Sequence, residues 1–103
     1  METAQKEEFT RVQRVTDRKY NLITANGKLL SDEWFEWVDY FHDGFAKVQR
    51  AYDKYNYIDK NGKILSEEWF NYGFDFKDGL ALVERINGEQ CKIDKTGKIV
   101  VRK

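Results

Sequence analysis

A motif returns at a fixed spacing along the chain, and this period restricts the fold more than any other feature of the sequence. Residues 26–31, NGKLLS, return as NGKILS at residues 61–66, 35 positions later. Residues 80–85 match residues 45–50 at the same offset. The first copy is one residue longer, and we expect this insertion to lie in a loop. A period of this size predicts a repeat architecture, in which each unit buries its apolar face by stacking on a neighbour.

Each copy alternates polar and apolar residues, which indicates β-strands. Thr10 and Val12 point to one side and Arg11 points to the other, and the same parity holds in residues 45–50 and 80–85. Gly27, Gly62 and Gly97 stand where a tight turn needs a positive φ, and Asn87-Gly88 is a strong hairpin signal. We therefore predict a three-stranded meander per copy. Its second strands lie at 20–23, 55–58 and 90–93, and its short third strands at 29–30, 64–65 and 99–101.

The segments that connect the copies have a different pattern. Ser31 is followed by Asp32 and Glu33, and Ser66 by two glutamates. A serine N-cap with carboxylates in the first turn favours a helix start. The sequence thus predicts a mostly all-β fold of three stacked antiparallel β-meander repeats of about 35 residues, with short helical connectors. The predicted repeats are residues 9–44, 45–79 and 80–103, forming a single domain after a polar N-terminal tail at residues 1–8.

Composition narrows the class of protein. The chain has 103 residues, of which 41% are hydrophobic and 16% aromatic, as expected of one small globular domain. It contains no apolar run of about 20 residues and no hydrophobic signal region at residues 1–8, so we expect a cytoplasmic protein without membrane contact. Eighteen basic residues balance eighteen acidic ones, which disfavours nucleic acid as a partner.

The two ends of the chain differ in charge. Residues 1–8 carry one basic and three acidic residues, whereas residues 80–103 carry six basic and three acidic ones. Uneven scatter explains this difference most simply. Pairing between the ends of two protomers would explain it too, so a homo-oligomer is a second expectation.

A known family shares several of these residues. Phe76, Gly79, Ala81 and Val83 form the pattern F-x-x-G-x-A-x-V, and residues 57–65 contain a tyrosine-isoleucine-aspartate strand followed by N-G-K. This order resembles the WG (also called KWG) β-repeat family. The resemblance implies a β-repeat scaffold that occurs in bacteria and mobile elements, with no catalytic residues.

The chain departs from the family at the aromatic-glycine pair after which the family is named. The corresponding pairs are Tyr20-Asn21, Tyr55-Asn56 and Gln90-Cys91. Asparagine tolerates the left-handed conformation. We therefore expect it to replace the family's glycine in that conformation.

The side chains with catalytic or ligand chemistry are few. His42 is the single histidine and Cys91 the single cysteine, so a zinc site of the usual composition and a Cys-His pair repeated along the chain are excluded. Residues 57–68 resemble a calcium-binding loop, but Tyr57 stands at the first ligand position, where a carboxylate is needed. We predict no enzyme, no metal and no cofactor.

The function that we predict is binding to another protein. The candidate residues lie in the two connectors, where the copies differ most and where exposed aromatics would form a contact surface. They are Trp37, Tyr40, His42, Tyr72 and Phe74.

Two other functions stay open. One is a small inhibitor, or an immunity or anti-defence protein, from a phage or mobile element that blocks a target enzyme. The other is binding of single-stranded nucleic acid through Arg14, Arg50 and Arg85, which return beside tyrosines. These arginines could instead have a structural role, in which each covers an aromatic ring by a cation-π contact.

Overall fold

The computed structural model describes residues 9–52 and 54–102, and the predicted tail at residues 1–8 lies outside them. The described residues contain nine β-strands and no helix. The strands are β1 (Thr10–Gln13), β2 (Tyr20–Ile23), β3 (Trp37–His42), β4 (Phe45–Ala51), β5 (Lys54–Ile58), β6 (Tyr72–Gly73), β7 (Leu80–Glu84), β8 (Gln90–Asp94) and β9 (Ile99–Arg102).

The strands form three antiparallel sheets. The first sheet contains β1 and β2, the second has the order β3-β4-β5, and the third has the order β6-β7-β8-β9. The predicted all-β, antiparallel fold is confirmed. No helix long and apolar enough to cross a membrane occurs in residues 9–52 and 54–102.

The prediction of helical connectors is wrong. Phe35 forms an antiparallel bridge with Tyr20, and Phe70 forms the equivalent bridge with Tyr55. The residues that follow Phe35 become β3, which pairs with β4. The Ser31 hydroxyl does accept the Glu33 amide, at 3.0 Å, but it closes an isolated turn instead of starting a helix. The backbone hydrogen bonds of the connectors are made to other strands. A segment this short has too little helical preference to form a helix in their place.

The second and third sheets each include one strand, β3 or β6, from the predicted repeat before them. The strands β3 and β4 form a hairpin whose two turn residues are Asp43, with a φ of 55°, and Gly44, with a φ of 90°. Positive φ at both positions is the geometry that matches the twist of paired strands. Asp78 and Gly79 repeat it, with φ of 55° and 85°.

The predicted third strands at residues 29–30 and 64–65 are single β-bridges, whereas residues 99–101 lie within β9.

The core is divided between the two sheet-to-sheet contacts. Because neighbouring residues of a strand face opposite ways, Tyr57 packs toward the third sheet and Ile58 toward the first. One cluster of buried residues contains Leu22, Phe35, Val38, Ala46, Val48 and Ile58. The other contains Tyr57, Phe70, Phe76, Ala81, Val83, Cys91 and Ile93.

Asn21 and Asn56 are buried, and their role differs from the one expected. Neither has a positive φ. The Asn56 amide nitrogen donates to the carbonyls of Ser66 (2.9 Å) and Glu68 (3.2 Å), and its oxygen accepts the amides of Tyr57 (2.8 Å) and Ser66 (3.2 Å). Asn21 makes the same bonds 35 residues earlier, with Ser31, Glu33 and Leu22. These side chains fix the following loop to the strand, and no left-handed residue is needed.

Candidate functional site

Four of the five predicted protein-binding residues are large aromatics at the surface. Trp37, Tyr40, Tyr72 and Phe74 each expose between 37% and 51% of their surface. We call these four residues the aromatic surface. Trp37 and Tyr40 lie on β3, and Tyr72 lies on β6, the edge strands of the second and third sheets.

Arg11 organises the first half of the aromatic surface. Its guanidinium carbon lies 4.2 Å from the ring centre of Trp37 and 4.6 Å from that of Tyr40. Its Nη1 also donates to the Val38 carbonyl oxygen at 3.2 Å. The edge of Tyr20 meets the Trp37 ring at a centroid distance of 5.0 Å. One cation therefore joins two exposed rings and ties the first sheet to β3.

Lys47 takes the equivalent place in the second half. Its Nζ lies 5.3 Å from the Tyr72 ring centre and donates to the Gly73 carbonyl oxygen at 3.0 Å. Tyr72 makes edge contacts with Tyr55 at 5.2 Å and with Phe74 at 5.0 Å between ring centroids. The sequence prediction missed both Arg11 and Lys47. Their signal was present, because they occupy matching positions on the polar side of matching strands.

His42, the fifth predicted residue, lies at the end of β3 and not among the rings. Its Nε2 is 3.4 Å from the Asp75 carboxylate, and both side chains are partly exposed. This contact joins the two connectors near Phe74. His42 therefore borders the aromatic surface.

The three arginines of the nucleic-acid alternative all form ion pairs with carboxylates. Arg50 binds Glu33 through two bonds of 2.7 and 2.9 Å, while its guanidinium lies 4.0 Å from the Trp69 ring centre. Arg85 binds Glu68 at 2.7 Å and Glu89 at 2.9 Å.

Arg14 pairs locally, with Asp17 at 2.7 Å, and lies 4.6 Å from the Trp34 ring centre. Asp17 lies in the longer turn that the one-residue insertion creates. The rings that Arg14 and Arg50 contact are thus tryptophans, where the sequence suggested tyrosines. The expected helix-stabilising role of Glu33 and Glu68 is also wrong, since both carboxylates bind arginine.

A shallow depression of about 570 Å³ adjoins the aromatic surface at Phe74. Leu80 and Leu82 contribute its apolar floor, and Lys92 lies on the neighbouring strand. Within residues 9–52 and 54–102, no three His, Cys, Asp or Glu side chains come together to hold a metal ion.

The three antiparallel sheets define an all-β protein within the described residues, and several of its contacts recur 35 residues apart. The model of the family described as WG containing repeat matches residues 57–89, in agreement with the sequence resemblance. The matched segment runs from Tyr57 to Glu89 and includes β6, β7 and half of the aromatic surface. No curated protein and no solved structure matches the chain.

Proposed function

We propose that this protein is a non-catalytic module that binds another protein through the aromatic surface. The observation that supports this most is the pairing of exposed rings with fixed cations, Trp37 and Tyr40 with Arg11 and Tyr72 with Lys47. Exposed aromatics and arginines are the residues that contribute most to protein interfaces. Rings already held by cation-π and edge contacts lose little conformational freedom on binding, which favours affinity.

We also propose that the scaffold consists of three stacked repeats of about 35 residues. The Asn56 network copies the Asn21 network, and the Arg85–Glu68 pair copies the Arg50–Glu33 pair, each 35 residues later. Contacts that return at the sequence period support repetition in space as well as in sequence. Trp37 and Tyr72 then hold equivalent positions on two successive units, beside the equivalent cations Arg11 and Lys47.

Nucleic acid is not the partner that we propose, because Arg14, Arg50 and Arg85 already bind carboxylates. Phosphate would have to displace Asp17, Glu33 or Glu68. Binding through these arginines would also weaken steeply with added salt. An absence of binding to a single-stranded oligonucleotide at low salt is the expected result.

The test is affinity capture from a lysate of the native host, with the intact chain compared with Trp37→Ala and Tyr72→Ala. Tyr52→Ala is the matched control, since Tyr52 is an aromatic residue that is 90% exposed and lies outside the aromatic surface. We expect one protein to be captured by the intact chain and by Tyr52→Ala. With the captured protein purified, each surface variant should weaken binding by more than about 1 kcal/mol.

Equal capture by the intact chain and by both surface variants would contradict the proposal, provided that circular dichroism shows all of them folded. The identity of the captured protein also separates the alternatives. If it is an enzyme whose activity falls on binding, the module is an inhibitor of the immunity or anti-defence kind. If it is a non-enzymatic protein, the module is an adaptor or scaffold.

A further inference from the structure

Two turn glycines lie against the backbone of the unit before them. A Cβ at Gly62 would overlap the Leu30 carbonyl oxygen, and a Cβ at Gly97 would lie 2.9 Å from that of Leu65. The third equivalent glycine, Gly27, has no neighbour within 4 Å of its Cβ position among the described residues. Val100, the residue equivalent to Leu30 and Leu65, is 48% exposed. The contact between a turn glycine and the backbone of the preceding unit therefore occurs twice within the described residues. Gly27 at one end and Val100 at the other each supply one side of a third such contact.

The apolar residues around these positions show the same division. Ile64 packs on one core cluster and Ile99 on the other, whereas their equivalent, Leu29, is 49% exposed. On the opposite side of the molecule, Leu80 and Leu82 form the floor of the depression. Their equivalents on the second sheet are Phe45, which packs against the buried cluster of the third sheet, and Lys47, which binds Gly73.

We propose that a second copy of this chain docks here, head to tail. The face of the first sheet around Gly27 and Leu29 in one copy covers the face of the third sheet around Leu82 and Val100 in the other. Both faces continue sheet-to-sheet contacts that already exist within the chain. The contact is heterologous, so it adds copies in one direction and gives a ring or an open array.

Charge supports this choice of partner. Residues 80–103 carry six basic and three acidic residues, and residues 1–8, which precede the first sheet, carry one basic and three acidic ones. Opposite charge at the two ends favours association in the head-to-tail orientation over head-to-head or tail-to-tail. Arg14 and Arg85 do not weaken this charge complementarity, because each already binds a carboxylate nearby in the sequence, Asp17 and Glu89 respectively.

Two variants block one face each. Gly27→Asn adds a side chain at the open turn, and asparagine tolerates the φ of 87° found there. Leu82→Glu places a charge on the apolar floor, opposite Lys92 on β8, with which a glutamate can pair. Gly88→Asn is the matched control, because Gly88 has a φ of 89° and no neighbour within 4 Å of its Cβ position among the described residues. Leu29→Glu blocks the first face independently if Gly27→Asn does not fold.

The experiment is sedimentation velocity at concentrations up to about 1 mM, where even a millimolar dissociation constant is visible. We expect the mass of the intact chain and of Gly88→Asn to rise with concentration, while Gly27→Asn and Leu82→Glu stay monomeric. Mixed in equal amounts, the two monomeric variants should form a one-to-one dimer and nothing larger, since each supplies the face that the other lacks. A monomeric intact chain, association that survives Gly27→Asn and Leu29→Glu, or a mixture without dimer would each overturn the proposal.

Discussion

Gly73 packs against the hydroxyl end of the Tyr57 side chain. A Cβ at residue 73 would come within 2.5 Å of the Tyr57 hydroxyl oxygen and 3.2 Å of the ring carbon that carries it. That hydroxyl donates to the Phe74 carbonyl oxygen, and its burial raises the pKa of Tyr57 above the ordinary value. Gly73 is thus needed for the space it leaves and not for a positive φ, and the contact anchors β6 and Phe74 to the second sheet.

Gly73→Ala should destabilise the protein by about 1–3 kcal/mol, because the added methyl group forces the buried Tyr57 ring to move. Tyr57→Phe removes the hydroxyl oxygen that lies closest, so the loss in the double variant should be smaller than the sum of the two single losses. Urea denaturation of the four proteins measures this coupling, expected to be at least about 0.5 kcal/mol. Strict additivity would show that the two residues do not meet in this way.

Asn56→Ala should cost about 2–4 kcal/mol of unfolding free energy. The substitution leaves the amides of Tyr57 and Ser66 and the carbonyls of Ser66 and Glu68 without their side-chain partner, in a buried place. Thermal or urea denaturation gives the value, and Asn21→Ala should behave similarly. Asn61→Ala, at an exposed turn position, is the control, and its effect should stay within about 0.5 kcal/mol. Equal effects of Asn56→Ala and Asn61→Ala would contradict the role of the buried amide.

Arg18 has a φ of 61° in the turn made longer by the insertion. The Cβ of a residue at this φ crowds the following carbonyl oxygen, and asparagine tolerates the conformation better than arginine because its short polar side chain can hydrogen-bond locally. Arg18→Asn should therefore stabilise the protein by about 0.5–1 kcal/mol, measured by thermal denaturation. The bond from Gln13 to the Arg18 carbonyl oxygen involves only the backbone of residue 18 and should persist. Lys28→Asn, at an exposed residue without a positive φ, should give no such gain.

The hydrogen bond from Arg14 lowers the pKa of Asp17 to about 2, with a smaller contribution from the Lys19 amide. Because the folded pKa is depressed, the stabilisation is present above the ordinary value near 3.8 and is lost as the pH falls through 2. Carboxyl NMR titration of the intact chain should show this low midpoint. In Arg14→Gln it should rise toward 3.8, whereas Arg50→Gln should leave it unchanged. A midpoint that does not respond to Arg14→Gln would refute this ion pair.

The inference from sequence worked best where one residue determines the local geometry. Gly27, Gly62, Gly88 and Gly97 all have positive φ, as predicted, because glycine adopts this conformation without steric cost. The four aromatic residues of the aromatic surface are exposed, as the binding hypothesis requires, and their function stays a prediction. The cations beside them were missed, since a polar residue on a strand does not reveal which neighbouring sheet its side chain will reach.

The sequence by itself determined the seven strands outside the connectors and the glycine turns between them, and it indicated the family that residues 57–89 resemble. Alternation and glycine placement act over a few residues, so they can be read without the tertiary structure. Only the tertiary structure decided the course of the connectors. Ser31 and Glu33 favour a helix locally, but Tyr20 pairs with Phe35, and β4 pairs with the strand that begins at Trp37. A segment this short gains little from a helix of its own and more from the hydrogen bonds and buried rings that two neighbouring sheets supply.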